Sequence, residues 1–151
     1  MKKLICALAL CAGIVSAKET VTCYGYAYAL KNERGAEKGS EWKESKWELS
    51  HIFKWEVDYS NYENDALKIS FHNWLLANLK DESKVNYRGP SADAICSDYP
   101  GKSLEDVENM IKESYGKFKN SKSRLGYEIL GDFDYSEHSD SRSRKKVRVF
   151  R

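Results

Sequence analysis

The ten residues VTCYGYAYAL, Val21–Leu30, alternate with a period of two: Val21, Cys23, Gly25, Ala27 and Ala29 fall on one side, Thr22, Tyr24, Tyr26, Tyr28 and Leu30 on the other. Successive side chains of a strand point to opposite faces, so this stretch reads as a strand with one face of small residues and one of tyrosines. The small face invites close packing of a helix. The other face carries a ladder, Tyr24, Tyr26 and Tyr28, which serves either as core packing or as a platform on which sugars or peptides stack with help from Trp42 or Trp47.

Upstream, MKKLICALALCAGIVSA, Met1–Ala17, has two lysines, an apolar run from Leu4 to Val15, and small residues at Ser16 and Ala17. That is the layout of a secretory signal peptide cleaved after Ala17, leaving residues 18–151 as a single domain. The apolar run is too short to cross a hydrocarbon core of ~30 Å, which needs about 20 apolar residues. A lipoprotein anchored through Cys11 would want a small residue before the cysteine, where this chain has Leu10.

Cleavage changes the charge and the cysteine count. Losing Lys2 and Lys3 takes the 25 basic residues to 23, level with the 23 acids, and losing Cys6 and Cys11 leaves Cys23 and Cys96 alone. In an oxidising compartment such a pair is expected to form a disulfide. A redox or nucleophilic thiol would need a CxxC spacing or an identifiable histidine partner, and neither is visible.

Downstream, residues 31–46 hold nine charged residues and the glycines Gly35 and Gly39, which predicts a solvated loop between strands. Lys46–Val57, with Trp47, Leu49, His51 and Phe53 on one parity, predicts a second strand. Over residues 61–80, Leu67, Phe71, Trp74, Leu75 and Leu79 recur at helical intervals. Both prolines, Pro90 and Pro100, fall between Asp81 and Lys102, so turns are expected there, with Cys96 in a short extended piece. Ser103–Lys119 predicts a helix capped by Ser103 and Asp106, with Leu104, Val107, Ile111, Tyr115 and Phe118 as its apolar stripe. Arg124–Tyr135 reads as a strand interrupted by Gly131. The expected fold is therefore α+β: a small antiparallel sheet of three to four strands, two helices packed on one face, and one disulfide.

The C-terminal segment 142–151 is basic. Arg142, Arg144, Lys145, Lys146, Arg148 and Arg151 stand without an acid, so the mature body before Ser141 carries 17 bases against 23 acids. Such a segment is either a charged edge strand or a surface that attracts an anionic envelope polymer or membrane; nucleic acid is not an expected partner of an exported chain.

Other motifs point to no chemistry. PGKS, Pro100–Ser103, lacks the earlier glycine of a phosphate-binding loop, since Cys96 stands there. Ser40/Lys43, Ser114/Lys117 and Ser143/Lys146 have a Ser-x-x-Lys spacing without its companion motifs. His51, His72 and His138 are scattered, and Asp132, Asp134, Glu137, His138 and Asp140 have the composition of a polar turn. No catalytic residue, metal site or cofactor is expected. The functional expectation is a small bacterial protein, periplasmic or secreted, acting as a non-enzymatic binding module at the envelope. The alternatives are a secreted hydrolase using carboxylates such as Asp132 and Asp134, or an inhibitor or immunity-type partner of another secreted protein, presenting loop 31–46 or the basic tail.

Overall fold

In a computed structural model, which describes residues 20–35, 39–58, 63–122, 124–135 and 144–150, the alternating stretch becomes the first and longest strand, β1 (Val21–Arg34). The signal peptide expected over residues 1–17 lies outside the described residues. After β1 come β2 (Trp42–Leu49), β3 (Ile52–Val57), α1 (Glu63–Ala77), β4 (Val85–Cys96), α2 (Leu104–Ser121), β5 (Tyr127–Ile129) and β6 (Arg144–Phe150).

β1 organises the sheet. Along one edge it pairs antiparallel with β4, from Cys23 opposite Cys96 to Glu33 opposite Val85. Along the other edge its first half pairs with β3 and its second half with β2. β6 joins β3 antiparallel, and β5 joins β2 in parallel. The architecture is the expected α+β with a small sheet, but the sheet is mixed and has six strands among the described residues.

The predicted second strand is split into β2 and β3 by an extra residue at Ser50–His51. From Tyr28 opposite Leu49 to Gly25 opposite Phe53, β1 advances three residues while its partner advances four. Ser50 repairs the interruption. The Ala27 N–H donates to Ser50 Oγ at 2.9 Å, Ser50 N–H donates to the Ala27 carbonyl at 2.8 Å, and the Tyr115 hydroxyl of α2 donates to the Ser50 carbonyl at 3.0 Å. A buried polar group without a partner costs about 1–3 kcal/mol, so a serine at this bulge keeps the centre of the sheet intact.

Both faces of β1 are apolar, and each takes its own helix. On the small-residue face Cys23, Ala27 and Ala29 pack with Phe53, Trp55 and Val57 against Leu67, Phe71 and Leu75 of α1, joined by Phe133 and Tyr135. Gly25 is required here: a Cβ would lie 2.7 Å from the Asp93 carbonyl and 2.9 Å from the Trp55 ring. On the tyrosine face Tyr24, Tyr26, Leu49 and Ile52 pack against Val107, Ile111 and Tyr115 of α2. The expectation of two helices on one face is thus corrected. A period-two strand with apolar residues at both parities exposes hydrocarbon on both sides, and one layer of helices covers only one of them.

The disulfide forms as expected. Cys23 and Cys96 face each other across β1 and β4 and close a loop of 73 residues, which in the chain-entropy model stabilises the fold by about 4 kcal/mol. α2 begins as predicted, with Ser103 and Asp106 in a reciprocal cap. Two other expectations are revised. The charged loop is shorter than residues 31–46, because β1 continues to Arg34 and β2 starts at Trp42, their charged residues lying on the outer part of a hairpin. Residues 85–96, read as turns around Gly89-Pro90, form a twelve-residue strand. Pro90 is tolerated because, among the described residues, β4 pairs on one edge only, and Gly89 takes φ +57° where the register with β1 shifts.

Candidate functional site

The two helices run the same way along β1, on opposite faces, and both run out before β1 ends. α1 starts with Glu63, whose Oε2 accepts from Trp55 Nε1 at 2.7 Å, and α2 starts near Tyr24, whose hydroxyl donates to Glu108 at 3.0 Å. Phe118 in the last turn of α2 reaches Tyr28, and Asn78 and Leu79, just after α1, line a cleft with Lys31, so the outer half of the β1–β2 hairpin lies beyond both helices.

On the α2 side this open end is aromatic and basic. The register sets Leu30 beside Trp47 and Trp47 beside Tyr127, on one face of three adjacent strands. Phe118 from the last turn of α2 packs at a tilt against Tyr28 with ring centroids 4.3 Å apart and meets Trp47 edge-on at 5.4 Å. The Lys122 ammonium lies 4.6 Å from the Trp47 ring, and that of Lys119 lies 4.6 Å from the Tyr115 ring. β5 continues this face outward: Tyr127 is 43% exposed, Ile129 37%, and Leu125, in the turn before it, 36%. Gly126, at φ +77°, sets the entry into β5, and its carbonyl accepts from the Trp47 N–H at 3.1 Å. Among the described residues β5 pairs with β2 alone, and its other edge takes no strand partner.

On the α1 side the same end is ionic. Glu48 is only 4% exposed; its carboxyl is held by the Tyr87 hydroxyl and lies 3.9 Å from Lys31 Nζ. Burial raises the Glu48 pKa above the ordinary carboxylate range despite those two partners, and burial next to Glu48 likewise raises that of Tyr87. Around them Lys31 pairs with Glu33 at 2.8 Å and Lys46 with Glu128, and each lysine holds its carboxylate below the ordinary range.

The residues singled out from sequence are dispersed. Tyr24 and Tyr26 are 1% and 0% exposed beneath α2, so the reading of Tyr24, Tyr26 and Tyr28 as a platform is corrected: the apolar stripe of α2 needs that face, and only Tyr28 reaches its margin. The Tyr26 hydroxyl donates to Asp93 at 2.7 Å and lies 3.1 Å from Ser114 Oγ, and burial raises its pKa. Ser114 is thereby engaged away from Lys117, which pairs with Glu113 at 2.6 Å. At PGKS the cap is closed on itself, with Ser103 N–H donating to Asp106 at 2.9 Å and Asp106 N–H to Ser103 Oγ at 3.1 Å. Asp132 is exposed and Asp134 half-buried on either side of the core residue Phe133. His51 sits half-buried at the bulge and His72 half-buried on α1, while Glu137, His138 and Asp140 lie outside the described residues. Of the basic segment, Arg144, Lys145, Lys146 and Arg148 fall in β6, with Arg148 opposite Lys54, and Arg142 and Arg151 lie outside the described residues.

Sequence reasoning missed the open end. Glu48 alternates with Lys46 along β2 as solvent-facing charges do, and nothing local marks it as buried; Tyr87 lies in a stretch read as turns. The available signal was the pairing of two tryptophans, Trp42 and Trp47, with so charged a hairpin. No helix among the described residues is long and apolar enough to cross a membrane. No protein-family model, curated protein or solved structure matches the chain.

Proposed function

We propose that the chain is an exported, non-enzymatic interaction module of the bacterial cell envelope, which holds an extended segment of another secreted protein along β5 and the end of α2. The observation that carries this reading is the gathering of exposed Leu125, Tyr127 and Ile129 on and beside a strand with one edge that takes no strand partner among the described residues. Exposed apolar groups clustered within a polar rim mark interaction surfaces, and a bare edge accepts a further strand through backbone hydrogen bonds. Lys119, Lys122 and Arg124 at the rim favour an acidic segment. Export is supported by the leader-like N-terminus and by the disulfide, which persists in oxidising compartments.

A photo-crosslinking residue in place of Tyr127, in the cells that make the protein, is expected to trap a discrete envelope protein that the same residue at exposed Tyr99 does not trap. Equal trapping at both positions, or none, would discard the reading.

A second reading is favoured by β6, where Arg144, Lys145, Lys146 and Arg148 occupy a strand at the end of the sheet. Here the partner is an anionic wall polymer or membrane. Because β6 is paired with β3, charge reversal is a cleaner test than deletion. Glu at Lys145, Lys146 and Arg148 is expected to abolish sedimentation with phosphatidylglycerol vesicles at low salt; unchanged sedimentation would rule this contact out.

A further inference from the structure

The α1-side face of the open end contains a cleft of about 350 Å3 between the connection from α1 into β4, the start of β4, and β1. This falls in the ~300–1,000 Å3 range of small-molecule sites. Leu79, Val85 and Tyr87 supply the apolar part of the wall, and the lysines Lys31, Lys80 and Lys84 line the remainder with Asn78 and Asp81.

The balance of donors and acceptors identifies what would fit. The one carboxylate that lines the cleft is largely spent. Asp81 accepts from the Ser83 N–H at 3.0 Å, the Ser83 hydroxyl at 2.5 Å and Lys84 at 3.2 Å, three of the roughly four lone-pair sites of a carboxylate. The Trp74 carbonyl at the end of α1 accepts both the backbone and the side-chain N–H of Asn78, at 3.0 and 2.9 Å, and the Leu76 carbonyl accepts from Leu79 at 3.2 Å. The Tyr87 hydroxyl is committed to Glu48. Each ammonium has three N–H groups; among the described residues Lys31 pairs with Glu33 and lies 3.9 Å from Glu48, and Lys84 pairs with Asp81. The cleft therefore has unspent donors over an apolar wall.

Its walls are also held in place. Glu48, buried behind the cleft, bonds Tyr87 and lies beside Lys31, so two lining side chains are positioned by one carboxyl. The chain before Ser141 has an excess of acids with or without residues 1–17, so attraction of an anion here is a matter of these local donors rather than of long-range steering.

We infer that this cleft binds a small organic acid, its carboxylate among the lysines and its apolar body against Leu79, Val85 and the Tyr87 ring. The site is separate from the β5 surface and does not depend on the reading given for it. Titration of the 15N-labelled protein with benzoate, hexanoate and inorganic phosphate tests it. At least one of the two acids is expected to give saturable shifts at Leu79, Val85 and Tyr87. The double variant Lys80→Glu, Lys84→Glu is expected to weaken this binding at least tenfold while keeping a dispersed spectrum, and phosphate to bind at least tenfold more weakly than the acid. Should the reversal disturb the fold, Lys80→Gln with Lys84→Gln makes the same comparison. Absence of saturable shifts with both acids, shifts indifferent to the lysine substitutions, or phosphate binding as tightly as the acid would each overturn the inference.

Discussion

The two halves of β1 obey the same alternation but have opposite fates. From Cys23 to Ala27 both faces are sealed, one by α1 with the disulfide and Trp55, the other by α2 with its hydrogen-bonded tyrosines. From Tyr28 to Arg34 the helices end, and the strand carries an aromatic and lysine surface on one face and an ionic cleft on the other. The closed half concentrates stability and the open half concentrates exposed chemistry. A rigid scaffold with its binding groups placed where the covering layer stops is a common division of labour.

The contrast is tested hardest at the closed end. Trp55→Ala is expected to cost the most, about 3–5 kcal/mol, since it empties a fully buried site and takes a hydrogen-bond donor from buried Glu63; urea unfolding followed by tyrosine fluorescence or circular dichroism measures it. The double variant Cys23→Ser, Cys96→Ser is expected to cost about 4 kcal/mol in the same assay. A loss below about 1 kcal/mol in both would mean that the closed half does not hold the fold.

At the open end the expected effects on stability are smaller, and one has the opposite sign. Because burial raises the Glu48 pKa above its unfolded value, its contribution is full below the ordinary carboxylate range and is lost as pH rises through the raised value. Glu48→Gln, which keeps an acceptor for Tyr87, is therefore expected to be more stable than the parent at neutral pH. This advantage disappears under acid conditions, as paired melting curves at pH 4 and pH 7 would reveal. The Lys46–Glu128 pair on the same face works in the other direction, since Glu128 has a lowered pKa and its contribution is lost as pH falls; both side chains are well exposed, so the effect is slight. Smallest of all, Tyr127→Lys is expected to change stability by no more than about 0.5 kcal/mol while abolishing trapping by a photo-crosslinking residue placed at exposed Ile129; a larger loss would make β5 part of the core rather than a surface.

What could be read ahead of the structure followed chain-local periodicity. The strand at Val21–Leu30, both helices, the Ser103 cap and the pairing of the only two cysteines after residue 17 were legible because each depends on neighbours within a few turns or on simple elimination. β4 was not, because Gly89-Pro90 carries turn chemistry and only the partner strand reveals that a bulged edge position tolerates it. Glu48 and Tyr87 were equally hidden: one looks like a solvated charge and the other like a loop tyrosine until the sheet brings them together.

The amino-acid order by itself determined the α+β class, the helices and the cross-link, since hydrophobic spacing and cysteine supply act locally. Tertiary structure alone decided that the two helices take opposite faces, that the tyrosine ladder is buried, and where the covering ends. Those outcomes depend on which apolar surfaces meet in space, and the free energy of that meeting belongs to pairs of residues 65 to 88 positions apart, such as Tyr115 with Ser50 and Ser114 with Tyr26.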